Sequence, residues 1–488
     1  MWEIATSIGS WRNARAPLLL LALVPLPAAA ADVRITTSVG SSVTATDNVD
    51  LEPHNQADNG LIWTNSASLD VSSTGARFKG ALDYTLNIES TFSDRTDVDV
   101  FNDLAAFGTF EVVPDLFFIQ GRAFAGQQLG RSNGRVSASG RNAGSDVSNV
   151  YSFSVSPFFR FRLGTWADAE VGADYQRVFE PGNNDNSNET GDSESNRQHA
   201  IISSSGLART DLTAQFQHEV VHAEGPNNFS EQTTGLTTAE YALIQEFALL
   251  GTVGYEAIDT TEVSGDLSGV VVYGGFDARP GPRSELRFSV GHRFDQVVYD
   301  ALASYKISQH ATIRASYDVT FVPAQGNVLS LPTNITLDKN GDLVDVTTGL
   351  PVNQGDLGLG LEEHPYVANR AQASLVADYT RDQFNLLGSF EQRDFLGIQP
   401  NEDVLYATGR WTHDLSPNLR IGGTLGYRMS DTAGGERDDT FLGRIDLSYD
   451  LAENATVYTA YSYTQRVSNI STEEYTENAL IIGGRLSF

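Results

Sequence analysis

The chain has 488 residues and a formal charge of −30, from 62 acidic against 32 basic side chains. A balance this acidic argues against nucleic acid as a partner. The sequence holds no cysteine, which excludes disulfides, iron–sulfur clusters and thiolate zinc sites.

The first 31 residues read as an export signal: Arg12 and Arg15, then the apolar run "APLLLLALVPLP" (16–27), then "AAAA" (28–31). Pro17, Pro25 and Pro27 would break a buried helix there. The run is also shorter than the ~20 apolar residues a membrane-spanning helix needs. Cleavage is expected after Ala30 or Ala31. No later segment is apolar enough for a transmembrane helix, so any membrane crossing is expected to use strands.

From Val33 onward the pattern is alternation. In "RFKGALDYTLNIES", Phe78, Gly80, Leu82, Tyr84, Leu86 and Ile88 share one face, and Lys79, Asp83, Thr85, Asn87 and Glu89 share the other. The pattern returns at Ala167–Tyr175, with Asp168, Glu170 and Asp174 opposite, and at Ile313–Phe321, with Arg314, Ser316 and Asp318 opposite. Near the end, Leu419, Ile421, Leu425 and Tyr427 oppose Arg420, Thr424 and Arg428. Phe441, Ile445, Leu447 and Tyr449 oppose Arg444 and Asp446. A period of two puts apolar groups on one sheet face and polar groups on the other.

Tight connections such as "STGA" (73–76), "VPD" (113–115), "SQHA" (308–311), "DLSPN" (414–418) and "LAEN" (451–454) alternate with long acidic ones at 47–60, 180–196 and 468–478. The longest, 322–364, is expected to be extracellular or to enter the lumen. A soluble β-sandwich also alternates, but its strands run about five or six residues, against about ten to thirteen here. Short turns on one rim, long loops on the other and long two-faced strands predict an all-β, transmembrane, antiparallel up-and-down barrel over 32–488. The segments number 22: 33–45, 61–73, 77–91, 104–113, 115–125, 148–158, 167–179, 197–207, 212–224, 234–247, 250–260, 269–278, 285–295, 297–307, 311–321, 365–379, 382–393, 402–414, 419–429, 439–450, 454–466 and 478–488. The pairs 234–260 and 285–307 have weak boundaries, leaving 18 or 20 open.

The chain ends "ALIIGGRLSF". Gly483, Leu486 and Phe488 match the recognition signal that the barrel assembly machinery reads on a last strand, with Ile481 standing where a polar residue is usual. "TTSVGSSVTATDNVDL" (36–51), "SPFFRFRLGTWADAEVGADYQRV" (156–178), "VGYE" (253–256) and "TGLPV" (348–352) resemble segments of an uncharacterised proteobacterial outer-membrane barrel family associated with the exosortase/PEP-CTERM system and exopolysaccharide gene clusters. The resemblance implies a Gram-negative cell-surface location and a link to surface polysaccharide. It brings no catalytic residues with it.

"HEVVHAEGPNN" (218–228) matches the zinc-protease pattern His218-Glu219-x-x-His222 with Gly225, but Asn228 stands where a third histidine belongs. The flanking alternation predicts a strand, in which residues four apart lie about 13 Å from each other, too far for one ion; the stripe Leu212, Phe216, Val220 keeps a helix open. "LDKNGD" offers Asp338, Asn340 and Asp342 but lacks the glycine and closing glutamate of a calcium loop, so a hairpin turn is expected. No nucleophile elbow, Walker loop or dinucleotide fingerprint occurs.

Arg287, Arg293, Arg314, Arg420, Arg428, Arg444 and Arg485 fall on the polar parity. They are placed in the lumen, because an arginine on the lipid face costs about 2–4 kcal/mol at midplane. They are candidates either for bracing a wide pore or for contacting anionic groups such as those of an acidic polysaccharide. A barrel near 22 strands needs a plug, and with strand one starting at Val33 the constriction is expected from loop 322–364. The expected function is a porin-like, integral outer-membrane barrel linked to exopolysaccharide export or cell-surface organisation. A general diffusion porin and an outer-membrane hydrolase or surface adhesin stand as alternatives. No enzymatic activity, cofactor or metal is expected. The expected partners are outer-membrane lipid, the assembly machinery, and exopolysaccharide with its export proteins.

Overall fold

Strands of alternating polarity dominate the computed structural model, which describes residues 32–488 except 94–95, 140–146, 180–191, 205–206, 224–228, 262–266, 339–341, 353–361, 363 and 398. The signal segment 1–31, Gly225, Asn228, Asn340 and the apolar stretch 357–361 lie outside the described residues.

The wall begins with β1 (Val33–Thr46), β2 (Gly60–Thr74), β3 (Phe78–Phe92), β4 (Thr96–Val113), β5 (Phe117–Leu129), β6 (Val147–Leu163), β7 (Ala167–Phe179) and β8 (Ser193–Ser204). It continues through β9 (Thr210–Ala223), β10 (Phe229–Ile244), β11 (Phe247–Thr260), β12 (Gly269–Gly281), β13 (Ser284–Arg293), β14 (Gln296–Lys306) and β15 (Ala311–Val322). A helix, α1 (Gly326–Thr333), and a small hairpin, β16 (Ile335–Leu337) and β17 (Leu343–Asp345), interrupt it. The last strands are β18 (Tyr366–Asp378), β19 (Asp382–Phe395), β20 (Glu402–Ser416), β21 (Leu419–Thr432), β22 (Arg437–Ala452), β23 (Ala455–Ser468) and β24 (Tyr475–Ser487).

All strands except β16 and β17 form one 22-stranded antiparallel sheet. It closes where β1 pairs with β24, from Ser38 opposite Ser487 to Thr46 opposite Ala479. Phe488 extends the seam, its amide donating to the Thr37 carbonyl at 2.7 Å. A hydrophobic terminal strand is therefore held on both edges, which removes the exposed ladder an open sheet would present. The count is 22, and both weakly bounded pairs resolve into separate strands.

The two faces follow the sequence alternation. Leu425, Ile445, Leu480 and Ile482 point outward and are exposed, with Leu425 at 74%. Their polar neighbours point into the lumen. Among the described residues no helix is long and apolar enough to cross a membrane.

Some boundaries differ from expectation. Strand four begins at Thr96 rather than 104, because "TDVDV" continues the alternation past the apolar band and pairs with β3. The last strand begins at Tyr475 rather than 478, so Tyr475 and Glu477 belong to the wall and not to a loop. Strand ten ends at Ile244 and its turn falls at 245–246. The alternation of short and long connections breaks between β13 and β14, where the outer-rim connection is only Phe294 and Asp295. Their φ values of 54° and 57° are the left-handed pair that a two-residue hairpin turn requires.

Candidate functional site

Lumen-facing side chains meet two chain segments that fold inward from the outer rim. The first leaves β15 and runs through α1 and the β16–β17 hairpin. Its Leu329 packs on Val150, Val178 and Val221, the lumen-side valines of β6, β7 and β9. Ile335 and Leu343 pack on Ala105 of β4 and Phe124 of β5. Each such side chain contributes about 1.5–3 kcal/mol by leaving water, so two buried apolar clusters lie between the inward segment and the wall. Polar bonds fix the same contact: Arg122 Nε donates to the Ile335 carbonyl at 3.3 Å, and Gln176 donates to the Leu329 carbonyl. On the opposite wall, Arg314 Nη1 and Ser374 Oγ donate to the Thr348 carbonyl at 3.1 and 2.8 Å. The segment thus spans the lumen from β15 and β18 to β4–β9.

The second inward segment, 130–139, leaves β5 and crosses to the C-terminal wall. Val136 exchanges hydrogen bonds with the Tyr475 hydroxyl, its amide donating at 2.9 Å and its carbonyl accepting at 2.8 Å. Ala138 N donates to Thr464 Oγ1 at 2.8 Å, Ser137 to Glu477, and Ser132 to Glu402. Arg135 pairs with Glu52 at 3.0 Å. Nothing in "GRSNGRVSAS" announces burial, because its partners lie hundreds of positions away.

A buried charge network joins the two. Arg393 is 0% exposed and binds Glu391 at 2.7 Å, Glu402 at 2.9 Å and Glu362. Glu362 lies on the inward segment's return to β18, and Glu402 accepts from Ser132. Arg370 Nε donates to Glu391 at 2.6 Å, and Tyr366 stacks under the Arg393 guanidinium at 5.4 Å. A second knot at the outer rim holds Arg466 against Asp438 at 3.0 Å and Glu436 at 3.1 Å. Burial first, then neighbouring Asp438, holds the Glu436 carboxyl above its ordinary range.

The seven candidate arginines divide by environment. Arg287 lies on β13 opposite Asp277. Arg293 forms a two-pronged pair with Glu256, both bonds 2.7 Å, and donates to the Val319 carbonyl at 3.1 Å. Arg314 is taken by Thr348 of the inward segment. Arg428 is buried on β21, so it does not front an open passage. Arg444 Nη1 donates to the Ser139 carbonyl at 3.0 Å. Arg420 and Arg485 lie near the inner rim, paired with Asp414 at 2.7 Å and bonded to Ser38 Oγ at 2.9 Å. The sequence reading missed Arg410, Arg393 and Arg466. Glu391 and Arg393, two apart on one strand, were a legible same-face pair.

Cross-strand register places Arg410 and Arg444 on either side of Thr424 in one lumen row. Two strand spacings separate them by about 10 Å. Arg410 is half exposed, with Asp446 4.0 Å away.

The zinc-like motif lies on β9, whose strand conformation excludes the helical alternative. His218 Nδ1 bonds Thr233 Oγ1 at 2.9 Å, and His222 packs edge-on against Phe229. Among the described residues, no three metal-ligating side chains converge. Asp338 and Asp342 close the β16–β17 turn, the Asp342 amide donating to Asp338 Oδ1 at 2.9 Å. Of the three residues expected to form an assembly signal, Leu486 and Phe488 point outward, while a side chain at Gly483 would meet the Tyr458 ring at 2.5 Å.

A family model described as "Putative beta-barrel porin 2" matches residues 403–488, the span of β20–β24. No curated protein matches the chain. Among solved structures, the siderophore receptor PirA from Acinetobacter baumannii is similar at 8% identity over 93% of this chain and 80% of that one, with a TM-score of 0.48. The ferric-catecholate import receptor Fiu from E. coli K12, open form, shows 10% identity over 92% and 81%, TM-score 0.46. The FrpB iron transporter from Neisseria meningitidis (F5-1 variant, apoprotein) shows 10% over 92% and 81%, TM-score 0.48.

Proposed function

We propose that this porin-like outer-membrane β-barrel passes anionic polymer or its fragments, in exopolysaccharide export or cell-surface organisation. The observation that carries this reading is the row Arg410–Thr424–Arg444 on the lumen face. It places two guanidinium groups at a spacing suited to successive charged groups on a chain, beside the segment 130–139. Arg420 and Arg485 lie further toward the inner rim, each with a carboxylate beside it, Asp414 at 2.7 Å and Asp70 at 3.9 Å. The resemblance to the exosortase/PEP-CTERM-associated barrels supports the polysaccharide link, and the terminal strand carries the features expected of a substrate of the assembly machinery.

The test is a planar-bilayer recording of the wild type against Arg410→Gln/Arg444→Gln, with an acidic oligosaccharide added to one side. Wild-type current is expected to be blocked by the oligosaccharide, and the double variant to lose the block. Equal block in both would overturn the reading. A general diffusion porin is the second reading, favoured by the porin family model over β20–β24; unhindered liposome swelling with small neutral sugars and no oligosaccharide block would select it.

A further inference from the structure

The barrel wall is not uniformly laddered. β14 and β15 share only the pairs Ala301–Lys306 with Thr312–Tyr317. Six residues at ~3.3 Å each, tilted at ~40°, rise about 15 Å, short of the ~25 Å apolar band of an outer-membrane barrel. Above Tyr317 the β14-facing edge of β15 carries no ladder, while its other edge is paired with β18 along the whole strand, from Ala311 opposite Ala377 to Val322 opposite Tyr366. The β13–β14 hairpin meanwhile continues without it to the turn at Phe294 and Asp295.

Side chains close the interval instead. Val298 shares the lumen parity of β14, since Val297 and Tyr299 on either side are exposed outward. Val319 and Val367 have the outward parity of β15 and β18, yet are buried. Val298, Val319 and Val367 form one cluster, with Tyr273, Tyr317, Phe294 and Leu396 around it. A lumen-side residue of one strand packing on outward residues of the next two means that the β12–β14 arm laps over the outside of β15 and β18. Arg293, tied to Glu256 of β11, reaches across the lap to the Val319 carbonyl. Directly below, on the lumen side of β14, Leu302 is 44% exposed, an apolar side chain in water among Arg287, Asp300 and Ser316.

We propose that this lap is a lateral port through which a single-chain amphiphile moves between the lumen and the outer leaflet. The acyl tail slides along Leu302, Val298, Val319 and Val367, while the polar head stays among the lumen charges of Arg287, Asp300 and Asp318. A seam held by apolar packing and one guanidinium opens without breaking a strand ladder, and its outward flank is made of the exposed apolar side chains Val297 and Tyr299. The inference rests on the placement of the barrel in a membrane and adds a ligand class to it.

Because the chain has no cysteine, Val298→Cys/Val319→Cys creates the sole thiol pair, and one sample can be locked and released. In vesicles carrying a diazirine-labelled fatty acid, irradiation of the reduced barrel is expected to label the Leu302 side chain itself, assigned by fragment-ion mapping apart from the lipid-facing Tyr299 and Tyr305 of the same strand, and oxidation or a short bis-thiol linker to abolish the label at Leu302 alone. Labelling of the lipid-facing peptide containing Ile445 is expected to stay unchanged. Equal labelling at the Leu302 side chain in both states, or none in either, overturns the port. Failure of the pair to bridge overturns the lap. Conductance to small ions is read on the same samples: a barrel that conducts in both states but never labels at Leu302 keeps the passage reading and loses the port.

Discussion

Replacing Arg393 by methionine keeps most of the aliphatic volume and removes the guanidinium from a fully buried site. Glu391 keeps Arg370 and the Tyr366 hydroxyl, the latter at 3.1 Å. Glu402 keeps Ser132 and Ser430, the latter at 2.7 Å. Glu362 is the partner that belongs to the inward segment, so the loss falls on the link between that segment and the wall. Removing one member of a buried pair costs about 3–5 kcal/mol. At about 1.36 kcal/mol per tenfold, that shifts the balance between docked and released segment by about 2.2 to 3.7 powers of ten. The ladders of β18–β19 and β19–β20 do not depend on the guanidinium, so the barrel should still form. Limited proteolysis of reconstituted protein should then show cleavage within 323–365 while the strands stay protected. Arg437→Met, which removes half-exposed rim pairs with Asp431 and Asp439, should change little, since exposed pairs are worth about 0–1 kcal/mol. Equal protection of 323–365 in wild type and Arg393→Met would refute the reasoning.

Ile335→Asp puts a carboxylate where Ala105 and Phe124 pack; it should free the β16–β17 hairpin from the wall, seen as faster hydrogen exchange at 335–345 with unchanged exchange in β4 and β5. Unchanged exchange in the hairpin would show that the apolar contact does not hold it. Phe488→Ser keeps the backbone bonds to Thr37 and removes only the outward ring. Outer-membrane levels should fall while the purified variant, refolded in detergent, retains its heat-resistant mobility; normal levels in the membrane would remove Phe488 from the assembly signal.

The wall was legible because its physics is local. A period of two over ten or more residues, as at Leu419–Tyr427, needs no distant partner to be read. The Arg393 network and the segment 130–139 were not legible for the opposite reason. Glu402 and Ser132 are brought together only by closure of the sheet, and a glycine- and serine-rich stretch looks the same whether water or a barrel wall satisfies it. Val319 shows a related limit: its parity gives the correct face, but not that another strand would lap over it. The long connection after β15 carried a weak signal in the apolar stretch "VLSLP" (328–332), whose Leu329 and Leu331 pack on the wall, whereas Ile335 and Leu343 lie outside any apolar run.

Single-channel conductance of the wild type against a chain lacking 325–362 bears most directly on the claim that an inward-folded segment narrows a wide barrel. A closed sheet of 22 strands without its filling should conduct several-fold more than the intact protein, with the same heat-resistant mobility. Equal conductance in a folded deletion variant would contradict the account.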